Sequence, residues 1–290
     1  METLTVATLL IIVLTAVASI SDQTSSRAGA DQKRTDTLNG ASSGLGRIIG
    51  DLQQACYLIP SGSAQVTGTF CRISGTTVAA SSSTGTRTTT PDGATASGAE
   101  TTACDPSGTP ATSQNNCIEF LMRGRTAVAR DPTTGAVSGT TRTLWRVRYN
   151  CAIRDARDTR GINRRCERFS TRCTTTAGLT SCPAPCSSAA TGCAASGSST
   201  DTVIAGSVTN SAETNAANTP RPILLYCSRV SAQTCSATFS SAAAAIRVEL
   251  AIARRGTLKQ GLANSIDLKD AAELKNNLTD SNSRDDGPAA

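Results

Sequence analysis

Residues 4–20 read LTVATLLIIVLTAVASI, a run without charge, Gly or Pro. As a helix it would be about 26 Å long at ~1.5 Å per residue, near the lower limit for crossing a bilayer. From residue 21 to 55 the pattern changes. Leu38, Ala41, Leu45, Ile48, Leu52 and Ala55 recur at spacings of three and four, which draws one apolar stripe on a helix. Asp31, Lys33, Arg34, Asp36, Arg47 and Asp51 fill the other faces. No Pro interrupts this stretch, so both patterns join into one helix ending near Cys56, roughly 80 Å long. The alternative is two helices bent in the glycine region (Gly40, Gly44, Gly46, Gly50), where each Gly costs about 1 kcal/mol in a helix interior.

Beyond the helix, several segments alternate as strands do. Residues 64–73 are a weak candidate and residues 117–123 (CIEFLMR) a better one. In residues 144–153, Trp145, Val147, Tyr149, Cys151 and Ile153 share one face, and Arg146, Arg148 and Asn150 share the other. Residues 223–230 read as a buried strand. Residues 246–252 alternate again, with Ile246, Val248, Leu250 and Ile252 inward and Arg247 and Glu249 outward. The predicted fold is α+β: the long N-terminal helix, hydrophobic then amphipathic, packed on one face of an antiparallel sheet. Residues 1–55 form the stem and residues 56–290 the head.

Residues 74–115 and 174–220 are rich in Ser, Thr, Ala and Gly and read as long loops between strands; loops of that length are functional or disordered. Dense hydroxyls suit O-glycosylation, and Asn277-Leu-Thr279 matches a glycosylation acceptor. Residues 154–172 are charge-dense. Arg157, Arg160, Arg164, Arg165 and Arg168 could touch a polyanion such as DNA or an acidic glycan, but Asp155, Asp158 and Glu167 interleave with them. An internally paired, solvated loop or a subunit contact is the favoured reading. The tail at 279–290 has acidic residues near a Gly but lacks the closing Glu of a calcium loop; it reads as a surface tail or an arm to a neighbouring subunit.

Composition sharpens this picture. Aromatic residues make up 3% of the 290, so few large side chains are available to fill a core. The net charge of +6 is mildly basic and does not by itself imply nucleic acid. There is no His, which removes Ser-His-Asp and Cys-His catalysis and His metal sites. Twelve cysteines lie beyond the hydrophobic run: Cys56, Cys71, Cys104, Cys117, Cys151, Cys166, Cys173, Cys182, Cys186, Cys193, Cys227 and Cys235. An even count in a chain short of core material reads as up to six disulfides formed in an oxidising exterior, with the pairing open. Cys182 and Cys186 frame CPAPC, a spacing zinc tolerates, but no second close pair completes a site. No metal and no cofactor is expected.

Enzyme motifs are missing too. Gly40-Ala-Ser-Ser-Gly-Leu-Gly46 superficially matches a dinucleotide loop, but no strand of a βαβ unit precedes it. Glu119 and Asp155 are acidic residues without a paired context. The reading is a structural protein, not an enzyme. Three roles fit residues 4–20: a signal peptide cleaved after Ala16-Val17-Ala18, a plain membrane anchor, or the buried stem of a filament subunit.

The layout resembles type IV pilins and the related pseudopilins. Glu2-Thr3-Leu4 followed by TVATLLIIVLTAVAS is similar to that family's start, and residues 45–57 (LGRIIGDLQQACY) are similar to the end of the long helix in its larger, minor-pilin-like members. The family's glutamate stands fifth in the mature chain, so the resemblance implies a leader and about three more residues ahead of Met1. It implies that Glu2 pairs with a neighbouring subunit's terminal amine, since a carboxylate among apolar side chains needs a partner or a proton. Leu4, Leu9, Leu10, Ile11, Ile12 and Leu14 would then be the assembly surface. The implied partners are copies of this chain in a helical filament or related pilin subunits, with the inner membrane holding the stem before assembly. The implied location is the cell surface. A second expectation is a secreted or membrane-tethered, disulfide-rich adhesin that does not polymerise.

Overall fold

A computed structural model describes residues 2–60, 65–79, 86–89, 95–101, 116–124, 127–130, 133–141, 143–154, 164–185, 200–210, 221–232, 234–240, 243–253 and 265–274. It opens with a single uninterrupted helix, α1 (Glu2–Gln53), about 78 Å long at ~1.5 Å per residue. The glycine region does not interrupt it. Among the described residues sixteen strands follow: β1 (Ala55–Ile59), β2 (Val66–Phe70), β3 (Ile73–Val78), β4 (Thr86–Thr89), β5 (Thr95–Thr101), β6 (Cys117–Arg123), β7 (Ala127–Arg130), β8 (Val137–Thr141), β9 (Leu144–Arg154), β10 (Arg164–Arg172), β11 (Thr174–Thr176), β12 (Leu179–Cys182), β13 (Thr200–Val208), β14 (Leu224–Cys227), β15 (Ala245–Ala253) and β16 (Ser265–Glu273).

Eight strands form an antiparallel sheet in the order β1-β6-β9-β10-β13-β15-β14, with β16 on the other edge of β15. The last turns of α1 lie across β13, β15 and β16. Ala41, Leu45, Ile48, Ile49 and Leu52 are buried there against Val147, Tyr149, Ile204, Val208, Ile246 and Val248. The predicted stripe is thus the seat of the helix, and residues 41–52 pack into the main core. Gly44 allows the close approach: a Cβ there would sit 2.2 Å from the Ile204 carbonyl oxygen on β13.

The opposite face of the sheet is covered at its β1–β6–β9 end, while at β15 and β16 it meets solvent through Arg247, Glu249, Asp267 and Lys269. A second sheet, β11-β12-β3-β2, lies over the covered end. Cys56, Ile59, Cys71, Val78, Leu121, Leu144, Cys173 and Cys182 form a small second core there. Half of that core is cystine: Cys56–Cys71 ties β1 to the β2–β3 turn, and Cys173–Cys182 ties the exit of β10 to β12. In a chain with so few aromatics, disulfides supply both filling and chain restraint. The β2–β3 hairpin turns through Cys71 (φ 53) and Arg72 (φ 62), and β11–β12 turns through Ala177 (φ 49) and Gly178 (φ 82). Both are positive-φ pairs, as a two-residue type I′ turn requires. Three of the four are not Gly, so the surroundings must hold them; Cys71 is held by its disulfide and by Arg123, whose Nη2 donates to the Cys71 carbonyl at 2.9 Å.

Four disulfides join described residues; the other two are Cys151–Cys166 and Cys227–Cys235. Cys117 is also disulfide-bonded, while Cys104, Cys186 and Cys193 lie outside the described residues. Several strands occupy segments read as loops: most of β3, with β4, β5, β11, β12 and β13, falls in the low-complexity stretches, and β10 falls in the charge-dense one.

The two glycines of the seat separate packing from propensity. Gly44→Ala should push α1 off β13 and lower stability by about 1–3 kcal/mol. Gly46→Ala, with nothing within 4 Å of the added methyl, should raise it by up to about 1 kcal/mol. Urea denaturation of both variants checks this, and equal effects of one sign would contradict the seat as described.

Candidate functional site

Two places in the fold hold unusual chemistry. The first is inside. On the covered face of the main sheet, Glu119 on β6 stands opposite Arg148 on β9. Arg148 Nη2 lies 2.9 Å from Glu119 Oε1, and Arg146 Nη2 lies 3.2 Å from Oε2. Arg146 also donates through Nη1 to the carbonyl oxygens of Ala79 (2.6 Å) and Cys182 (3.0 Å), the ends of β3 and β12. On β10, Arg165 Nε lies 2.8 Å from Glu167 Oε1. Arg146, Arg148, Glu119, Arg165 and Glu167 are all buried. Burial pulls the Arg146 pKa below its usual value, and Glu119 opposes that pull. A buried charge needs a partner this close, because an uncompensated one costs several kcal/mol.

A second charged group clamps α1 to the sheet. Asp51 Oδ2 accepts from Arg168 Nε at 2.7 Å and from the Tyr149 hydroxyl at 2.6 Å. Burial, then the Asp51 charge and hydrogen bond, push the Tyr149 phenol well above its ordinary value of 10.0. Burial also tends to lower Arg168, but the hydrogen bond and charge of Asp51 outweigh it, and its pKa is raised. Tyr226 is raised by burial alone.

These contacts relocate several residues singled out in the sequence. Glu119 is paired. Arg165 and Arg168, offered for polyanion contact, are committed to internal carboxylates on a central strand. Arg164 sits at the start of β10, half-buried. Arg157, Arg160, Asp155, Asn277 and the tail at 279–290 lie outside the described residues. Among the described residues, no group of three or more Cys, Asp or Glu could hold a metal ion.

The second place is the free part of α1. From residue 10 to 36 the helix is exposed on almost every side, and full burial begins only at Ala41. Leu10, Ile11, Ile12, Val13, Leu14, Val17 and Ile20 are each 53% to 64% exposed. The side chains of Glu2, Leu4 and Leu9 lie outside the described ones. Two polar side chains interrupt residues 10–20, and both turn back onto their own helix. The Thr15 hydroxyl donates to the Ile11 carbonyl at 2.8 Å, and the Ser19 hydroxyl donates to the Ala16 carbonyl at 2.8 Å. This leaves no unspent hydroxyl donor on the apolar shaft. Among the described residues, no helix is long and apolar enough to cross a membrane. The described apolar part, residues 10–20, spans about 16 Å at ~1.5 Å per residue.

No protein-family model, no curated protein and no solved structure matches this chain.

Two variants test the interior. Glu119→Gln should cost about 3 kcal/mol or more, because it leaves two buried guanidiniums without their counter-charge; a loss under 1 kcal/mol in urea would contradict that. For Tyr149, the folded chain keeps its phenolic proton where the unfolded chain loses it. Stability is therefore full below pH 10 and falls as pH rises through about 10. Tyr149→Phe should flatten that fall by up to about 1.4 kcal/mol per pH unit, read from urea midpoints on either side of pH 10.

Proposed function

We propose that this chain is a structural subunit of an extracellular filament of the type IV pilus kind, assembled through its N-terminal helix. The observation that carries the reading is the shaft at residues 10–20: apolar on all sides, more than half exposed, and with its two hydroxyls satisfied internally. A helix with no polar face is stable only when surrounded. Full burial of each large apolar side chain gains on the order of 1.5–3 kcal/mol. The head gives no cover, because its core begins at Ala41. Neighbouring stems supply such cover in a filament, and the bilayer supplies it before assembly. Glu2, at the start of α1, would pair with a neighbour's terminal amine and set the register, while the stapled head forms the outer surface. No chemistry is required of the chain.

The second reading, a tethered adhesin that does not polymerise, covers the same shaft with lipid alone. Shear separates the two: filaments release and pellet, whereas a tethered monomer stays with the membrane.

Leu14→Arg tests the shaft. A charge inside an apolar surround costs a few kcal/mol, so sheared, sedimentable material should be lost. The melting temperature of the head should not move, since residue 14 touches nothing in it. Filaments in wild-type amount from this variant would refute burial of the shaft among stems.

A further inference from the structure

Between the apolar shaft and the head, α1 carries six charged residues that its own fold leaves in solvent: Asp22, Arg27, Asp31, Lys33, Arg34 and Asp36. None of the six enters an ion pair among the described residues. The nearby hydroxyls of Thr35 and Thr37 are spent on the Asp31 and Lys33 carbonyls. The helix turns about 100° per residue, which sorts the six charges into two groups. Arg27, Asp31 and Arg34 fall within about 60° of one another, and Asp22, Lys33 and Asp36 fall within about 60° on the opposite side. One face reads plus, minus, plus. The other reads minus, plus, minus.

We propose that these two faces dock onto each other between successive copies of this chain, so that the stem is built for heterologous, open-ended association. The proposal rests on the filament reading above and names its contact. If parallel stems meet unlike face to unlike face with a stagger of about two residues, roughly 3 Å, Asp31 of one copy meets Lys33 of the next and Arg34 meets Asp36. One stagger satisfies both pairs. A parallel symmetric pair would instead set Arg27, Asp31 and Arg34 each against its own kind, which is repulsive. An interface between unlike faces leaves one face open on each end copy, and such interfaces grow into rings or filaments rather than stopping at a dimer. Because the charges are exposed, the contact acts mainly on register and specificity, and it weakens in salt. The apolar shaft, continuous with this stretch, supplies the cohesion.

The test is charge exchange in the full chain, read as the sheared fraction that pellets. Asp31→Lys with Arg34→Asp alters one face, and Lys33→Asp with Asp36→Lys alters the other. Each double variant sets like against like at both pairs and should reduce pelleted protein roughly tenfold. The four changes together restore both pairs with their signs reversed and should recover assembly. All these residues project beyond the packed head, so its melting temperature should stay at the wild-type value. Double variants that pellet like wild type, or a quadruple variant that fails to recover, overturn this contact and leave the filament reading standing. A wild-type chain that never pellets after shear overturns the filament reading, and this contact with it.

Discussion

The fold depends on how the last turns of α1 are seated. Ala41, Leu45, Ile48 and Leu52 fill the apolar face of the main sheet, and Asp51 is gripped by Arg168 and Tyr149 at its edge. The apolar contacts are non-directional and could be met at several rotations of the helix. The Asp51 contacts are directional and accept one. Gly44 then sets the depth, because only a residue without Cβ lets the helix backbone reach the Ile204 carbonyl. Slide the helix by one turn so that Ile48 takes the place of Gly44, and a bulky side chain strikes β13 while Asp51 loses Arg168 and Tyr149. Everything N-terminal to Ala41 is aimed by this seat.

The main sheet is covered on one face by α1 and, at its β1–β6–β9 end, on the other by the small sheet, and the two contacts rest on different physics. Against α1 it is apolar. Against the small sheet it mixes a small cystine-rich apolar core with buried ion pairs, and the ion pairs cost desolvation that a purely hydrophobic layer would not. They return geometric definition. Arg146 reaches across the layer to the ends of β3 and β12, where the cystines of Cys56–Cys71 and Cys173–Cys182 fix the same strands covalently. With few aromatics to make a jigsaw of shapes, register in this layer comes from charge pairing and cross-links.

This explains which elements were readable. The strand at 144–153, the strand at 246–252 and the stripe on α1 show clean periodicity because each has one apolar face. The segment at 117–123 was readable because it is apolar almost throughout. β10 hid in plain sight: RRCERFSTR carries charges that look solvated, and nothing local reveals that Glu167 and Arg165 pair inside while Arg168 reaches Asp51, 117 positions away. Pairing of Glu119 was invisible for the same reason. β13 and β3 hid differently. Their few apolar residues (Val203, Ile204 and Val208; Ile73 and Val78) are set among Thr, Ser, Ala and Gly, whose low hydrophobicity mimics a linker although Thr is a good strand former. The small sheet's turns use Cys71-Arg72 and Ala177-Gly178 instead of the Asn-Gly pairs that mark such hairpins in sequence.

A division of labour follows along the chain. The head is packed on itself: its described buried charges are paired, its helix seat is filled, and its described cysteines are bonded. The stem does not. An isolated helix gains little from its own hydrogen bonds and depends on packing for stability, yet from residue 10 to 36 the head offers none. Two unmet demands lie in sequence there, an apolar shaft that needs a non-aqueous surround and a charged stretch with opposite patterns on opposite sides. Lipid answers the first demand alone. In the proposed filament, copies of the same stem would answer both, each presenting an apolar shaft to its neighbours and, a few turns on, the charge pattern that complements the next copy's. The economy of that arrangement favours self-association over simple tethering, because a tether has no use for two complementary faces.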